Sequence, residues 1–193
     1  MQSSLFPAET QILWDDHRGA ITYHPGCIPL DLAERWFVAL RDSITWADER
    51  RRMYDRDVDV PRLVARFALD DPNLPEIIAS AADAVSRTTG AMFNSVGLNF
   101  YRDGRDSVAP HNDKLHDLVV DAPIAILSLG AVRRMTIRTK TTPRTILHLD
   151  LAPGSLFVMS YATQLHFDHG IPKVTTPTGA RISLAFRQRQ VTT

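Results

Sequence analysis

The run AMFNSVGLNFYR (91–102) decides the fold, together with APIAILSLG (122–130), AVRRMTIRTK (131–140), RTILHLDL (144–151), GSLFVMS (154–160), QLHFDHG (164–170) and RISLAFRQR (181–189). Each is short and rich in Val, Ile, Leu, Phe or Thr, with a period near two that sends successive side chains to opposite faces of a strand. Clusters of Gly, Pro and Asp separate the runs, and no helical period intervenes. Parallel strands need long crossovers, usually helical, so the pattern predicts an antiparallel sandwich or jelly roll.

Working outward, the N-terminal half has a different texture. In PLDLAERWFVALRDSI (29–44), Asp31 is a candidate N-cap, and Leu32, Trp36, Phe37 and Leu40 share one helical face. LPEIIASAADAVSRTTG (74–90) has apolar residues at helical spacing, Pro75 in the first turn and Gly90 at the stop. Between them, WADERRRMYDRDVDVPRLVARF (46–67) reads as a long charged loop or short hairpins. The expected division is therefore a helical layer over residues 1–90 and a β core over 91–193, together one domain at 193 residues.

Composition removes several function classes. Lys and Arg total 22 and Asp and Glu total 22, so global charge gives no sign of a nucleic-acid binder, although local patches remain open. Cys27 is the single cysteine, which excludes an intramolecular disulfide, a Cys-rich zinc site and a CxxC pair. No apolar run reaches the ~18–20 residues that span a bilayer, and the start lacks the layout of a signal peptide. A soluble, cytoplasmic monomer with no membrane partner is the expectation.

An H-x-D pair on an extended strand puts an imidazole and a carboxylate on one face, a natural metal half-site. With 7 His and 18 Asp the chain should contain roughly 0.65 such pairs by chance. It contains His111/Asp113, His148/Asp150 and His166/Asp168, so at least two are taken as accidental. A facial triad needs a third ligand from another strand. His116, His148, His166 and His169 follow Asp113, whereas only the adjoining His169 follows Asp168. His148 sits within RTILHLDL as an ordinary strand histidine.

Two further faces carry polar groups. Asn99 and Tyr101 share one strand face, and Arg181, Ser183 and Arg187 share another. Arginines within an apolar strand either meet an anion or lie on a solvent-facing edge. Six positions along a strand span ~20 Å, so Arg181 and Arg187 can converge only by leaning inward or by strand distortion.

These segments together resemble the AlkB-type iron(II)/2-oxoglutarate-dependent dioxygenases. FNSVGLNFYRDG (93–104), HND (111–113), LSLGAVR (127–133), HGIPK (169–173) and RISLAFR (181–187) stand in the family's order and spacing, with a weaker match at VPRL (60–63). The resemblance implies a double-stranded β-helix (jelly roll) with the N-terminal helices packed outside. It also implies iron(II) held by His111, Asp113 and His169, with 2-oxoglutarate and O2 as cosubstrates. Asn99, Tyr101, Arg181, Ser183 and Arg187 match positions that bind 2-oxoglutarate, a task that suits the planar, bidentate guanidinium. No catalytic residue beyond the metal centre is implied. The implied reaction is oxidative demethylation of N-alkylated nucleobases in DNA or RNA, as in alkylation damage repair, releasing succinate, CO2 and formaldehyde.

Two departures from the family's pattern concern the ligand and the substrate. Ser183 stands where an Asn is usual. Leu115 stands where DNA-repair members often carry an acidic residue, which leaves Lys114 as the nearby polar contact. A lid over about 46–70 with Met53, Tyr54 and Arg62 is the expected substrate contact, because a base must leave the duplex to reach buried iron. Arg133, Arg134, Arg138, Lys140 and Arg144 either track phosphates or balance the many Asp residues. Alternative readings are the same chemistry on a protein side chain or small molecule, a metal-binding jelly roll without catalysis, or a zinc hydrolase.

Overall fold

The structure is a computed structural model that describes residues 9–53 and 56–190, without the side chains of 49–60. In chain order, β1 (Gln11–Asp16) and β2 (Gly19–His24) precede α1 (Leu30–Ser43). Next come β3 (Ala47–Met53), β4 (Arg56–Ala68) and α2 (Glu76–Thr89). The second half runs β5 (Ser95–Tyr101), β6 (Val108–His111), β7 (Ile124–Gly130), β8 (Arg133–Thr139), β9 (Ile146–Leu151) and β10 (Leu156–Met159). After β10, α3 (Thr163–His166) leads into β11 (Phe167–Ile171) and β12 (Arg181–Arg187).

Two antiparallel sheets result. The larger has eight strands in the order β1-β2-β10-β7-β12-β5-β4-β3, and the smaller has four in the order β6-β11-β8-β9. This is the expected jelly roll. Alternation splits β5, β7, β10 and β12 of the large sheet between two cores. Leu127 and Leu129 of β7, Ile182, Leu184 and Phe186 of β12, and Val96 and Leu98 of β5 face outward. There they pack with Trp36 and Leu40 of α1 and Ile78, Ala81 and Val85 of α2. Ile124, Ile126, Phe157 and Tyr101 face inward, toward Met135 and Ile137 of the small sheet. The helices thus cover the outside, and the polar residues of β5 and β12 are left facing the space between the sheets.

The N-terminal ninety residues differ from expectation. They are not a helical layer: they supply β1 to β4, half of the strands in the large sheet. β1 carries Ile12, Leu13 and Trp14 in succession rather than in alternation, so no period of two reveals it. Its strand state comes from pairing with β2, which pairs in turn with β10. The segment expected as a lid is a β3–β4 hairpin, and Leu63 to Ala68 of β4 pair with β5 within the sheet. Helix α1 begins one residue before Asp31, with Pro29 in the N-cap place and no side-chain cap. Asp31 instead joins Arg35 one turn on, at 2.9 Å. QLHFDHG is not strand throughout, since its first residues form the one-turn α3 before β11 begins. Gly90 does end α2, at φ 67° in the left-handed region where a side chain is disfavoured. Among the described residues no helix is long and apolar enough to cross a membrane.

The inner core sets a first expected outcome. Phe157 is fully buried between β2 and β7. Phe157→Ala should destabilise the fold by about 3–5 kcal/mol, measured by urea unfolding, because the cavity left behind cannot close fully.

Candidate active site

Strand register assembles the site. β5 and β12 pair so that Tyr101 lies opposite Arg181, Asn99 opposite Ser183, and Ser95 opposite Arg187. Period two puts all six on the inner face. From the small sheet, β6 and β11 pair with His111 opposite His169. Between the sheets lies a cavity of about 700 Å3 that all eight of these residues line, along with Asp113, Arg62 and Lys114. That volume lies within the usual range for small-molecule sites.

The two imidazoles face each other with ring centroids 4.6 Å apart. His111 donates from Nδ1 to the Ala109 carbonyl at 3.0 Å, which fixes the tautomer and leaves Nε2 as a bare lone pair. His169 is buried, and desolvation, reinforced by His111 and Arg187 against the pull of Asp113, lowers it to about 3. Its ring is therefore neutral at physiological pH, the state a metal ligand requires.

Asp113 lies beyond the end of β6. Its backbone N–H donates to Gln164 Oε1 at 2.9 Å. Arg187 grips its carboxylate with two bonds, Nε to Oδ2 and Nη2 to Oδ1, each 2.9 Å. Burial opposes the charge, but the Arg187 guanidinium wins and holds the carboxyl below its ordinary value. With Asp113 turned to Arg187, no three His, Cys, Asp or Glu side chains among the described residues are gathered as a closed metal cage. The donor set nevertheless suits a divalent first-row ion: two imidazoles, that of His169 kept neutral by burial, and one ionised carboxylate at one end of a cavity.

At the opposite end, Arg181 is 1% exposed and spends one nitrogen, Nη2, on Ser128 Oγ at 2.8 Å. Its Nε and Nη1 are buried with no hydrogen-bond partner. Burial, with Arg133 adding to it and Tyr101 opposing, pulls its pKa below the ordinary value, yet an arginine starts high enough to stay charged. Two orphaned charged donors in a cavity wall are costly unless an anion completes them. A carboxylate fits. The Tyr101 ring lies 5.2 Å from the Arg181 guanidinium carbon and 5.6 Å from that of Arg133. Arg181 and Arg187 do not converge on one point; they serve different parts of one cavity, which resolves the spacing problem.

Asn99 accepts from Arg62 Nε at 2.6 Å and approaches Ser183 Oγ with its amide nitrogen at 3.5 Å. Arg62, expected as a substrate contact, lies in the cavity wall against Asn99. Met53 and Tyr54 lie outside the described residues, as far as their side chains are concerned. Lys114 is exposed in the cavity wall, while Leu115 opens a short 3-10 turn, Leu115–Asp117. The carboxylate of that turn in the wall is Asp117, held by His116 at 3.2 Å and Arg189 at 3.6 Å. Sequence reasoning missed Asp117, Ser128 and Gln164, none of which belongs to a recognisable spacing.

The other H-x-D pairs are engaged elsewhere. Asp150 pairs with Arg134 at 2.8 Å and Asp168 with Arg138 at 2.6 Å. Two members of the second basic cluster, Arg134 and Arg138, are thus paired with Asp residues. Arg133 is 2% exposed and donates to the carbonyls of Asp103, Asp106 and Pro172. Lys140 donates to the Gln164 carbonyl at 2.7 Å.

Comparison with known proteins agrees with this geometry. The family model described as "2OG-Fe(II) oxygenase superfamily" matches residues 68–187. "DNA oxidative demethylase ALKBH2" of Bos taurus is 34% identical over 124 residues, 61% of this chain and 45% of that protein. "Alpha-ketoglutarate-dependent dioxygenase alkB homolog 3" of Rattus norvegicus is 28% identical over 186 residues, covering 86% of this chain and 63% of the relative. The chain thus spans between about half and two thirds of the length of these relatives. The solved structure of OsALKBH1 shares the fold, with TM-score 0.61 at 12% identity over 92% of this chain and 100% of the other. The chain belongs to the 2OG-Fe(II) oxygenase superfamily, whose members use iron(II), 2-oxoglutarate and O2.

Proposed function

We propose that this protein is an iron(II)/2-oxoglutarate-dependent dioxygenase that removes N-alkyl groups from nucleobases of DNA or RNA, repairing alkylation damage. The observation that carries the reading is one cavity with two facing imidazoles at one end and the two unpartnered guanidinium nitrogens of Arg181 at the other. His111, Asp113 and His169 would hold iron(II). Arg181 would take the distal carboxylate of 2-oxoglutarate, with Tyr101, Asn99 and Ser183 along its length and Arg187 at the metal end. When bound, the iron and its cosubstrates supply the oxidant for an N-alkyl carbon, whose loss as formaldehyde restores the base, with succinate and CO2 as the other products.

The chain's own part is positioning. Ser128 Oγ holds the Arg181 fork from behind, so that its two remaining donors are pre-aimed rather than ordered at the moment of binding. Arg187 keeps Asp113 ionised, and Ala109 aims His111. Ile126, Met135 and Ile171 form an apolar part of the wall that keeps water from the reacting atoms. Arg62 and Lys114 would meet the nucleic acid at the mouth, with Met53 and Tyr54 of the hairpin as further contacts. The name of the bovine relative, a DNA oxidative demethylase, supports the substrate class. Leu115 offers no acceptor to an exocyclic amine, so about 1–3 kcal/mol of discrimination between bases is forgone. The same reading takes the protein as a cytoplasmic monomer, which light scattering and cell fractionation check.

The test is formaldehyde release from oligonucleotides bearing 1-methyladenine or 3-methylcytosine. We expect turnover of both, faster on single strands than on duplexes because unpairing costs a few kcal/mol, and slower as salt rises. No formaldehyde from either, with iron and 2-oxoglutarate still bound, would remove nucleic acid as the substrate and favour a protein side chain or a small molecule.

A further inference from the structure

Asp113 stands where the sheet stops. Strand β6 ends at His111, and the next regular element is the 3-10 turn at Leu115, so no ladder fixes the backbone of Asn112–Lys114. One side chain does. Gln164, 51 positions on and 1% exposed, accepts the Asp113 N–H at Oε1. The amide cannot be reversed, because its NH2 would then face another N–H. Its Nε2 instead donates to Thr163 Oγ1 at 3.2 Å and lies 3.7 Å from the Met159 sulfur. Thr163 Oγ1 has spent its own proton on the Ser160 carbonyl at 2.6 Å, which leaves it an acceptor.

Gln164 is itself held at both ends. Lys140 Nζ takes its carbonyl at 2.7 Å. The start of α3 presses on Gly19, where any Cβ would fall 2.5 Å from Ser160 Oγ and 2.9 Å from a Thr163 methyl. After α3 the chain passes directly into β11, which delivers His169. One buried amide therefore links the loop carrying Asp113 to the element that places His169, while Arg187 controls only the carboxylate end of Asp113.

We propose that Gln164 is a positioning residue for the metal centre, setting where Asp113 stands relative to the two histidines. This rests on reading His111, Asp113 and His169 as the ligands. Gln164 touches neither the metal nor a substrate in this role; it acts through the Asp113 backbone.

The probe is cobalt(II) alone, added to the full-length metal-free protein and followed by its visible absorption, with thermal melting of the metal-free variants alongside. Gln164→Met keeps the volume and removes the acceptor, and should weaken cobalt affinity by about 10–100-fold, as loss of an outer contact to a metal ligand does. Gln164→Glu keeps an oxygen facing the Asp113 N–H and should bind cobalt nearly as well as the natural protein. Should Gln164→Met fail to fold, Gln164→Asn, which withdraws the amide by one methylene, carries the same test. Natural affinity in a folded Gln164→Met or Gln164→Asn overturns the proposal, and so does a loss in Gln164→Glu as large as that in Gln164→Met. A purely structural role would move melting and leave cobalt affinity alone. If His169→Ala binds cobalt as the natural protein does, the ligand reading itself fails and the proposal falls with it, an outcome distinct from the others.

Discussion

Arg181→Met should lower 2-oxoglutarate affinity by two to four orders of magnitude, with metal affinity nearly unchanged. The physical reason is that the two buried donors without partners, Nε and Nη1, are the ones available to a carboxylate. A charge-assisted hydrogen bond is worth about 1.5–3 kcal/mol, and the protein has already borne the desolvation of this guanidinium in folding. Completing the fork therefore returns nearly the full value of both bonds. A corollary separates this account from simple damage. Without 2-oxoglutarate, Arg181→Met should unfold no more easily than the natural protein, because an apolar side chain replaces an underpaired buried charge and only the Ser128 bond is lost. Calorimetric titration of 2-oxoglutarate into the metal-loaded variant, with urea unfolding of the free protein, checks both halves. Natural affinity would place the anion pocket elsewhere.

His169→Ala should nearly abolish retention of iron(II), whereas His166→Ala should leave it intact. The two histidines are three residues apart, and the turn of α3 into β11 separates their fates. His169 is buried in register with His111, its ring 4.6 Å away. His166 ends α3, and its backbone carbonyl, not its ring, serves the fold by accepting from the Lys140 N–H at 2.8 Å. Removing one of three ligands takes away a metal bond outright, a larger loss than the ~10–100-fold of an outer contact. Equilibrium dialysis of iron(II) under anaerobic conditions gives the comparison. A greater loss in the His166 variant would reverse the assignment.

Arg187 adds a constraint to both experiments. It binds both oxygens of Asp113, so any metal taking that carboxylate must share it with, or draw it from, the guanidinium. The same contact keeps Asp113 ionised despite burial, since the neighbouring charge outweighs desolvation. The aspartate is therefore held in the ionised form that binds a cation.

Much of this architecture was legible in the sequence, for a local reason. Alternation in β5, β7 and β12 is a one-dimensional signal, and it named both the strands and the inward set Asn99, Tyr101, Arg181, Ser183 and Arg187. The helices α1 and α2 carried their own period, and Gly90 its own stop. Only tertiary structure decided the rest. β1 and β3 lack apolar alternation and are strands because β2 and β4 pair with them, and β4, set within a charged stretch, is fixed by pairing with β5. Which H-x-D pair lines the cavity between the sheets was also tertiary: His111 and Asp113 reach it, whereas Asp150 and Asp168 pair with Arg134 and Arg138 on neighbouring strands. Arg133, outwardly one basic residue among several, is buried because three carbonyls from distant loops meet around it. Gln164 belongs to no motif. Its role depends on a hydrogen bond to a residue 51 positions away, and a sequence read by local period contains no term for such a distance.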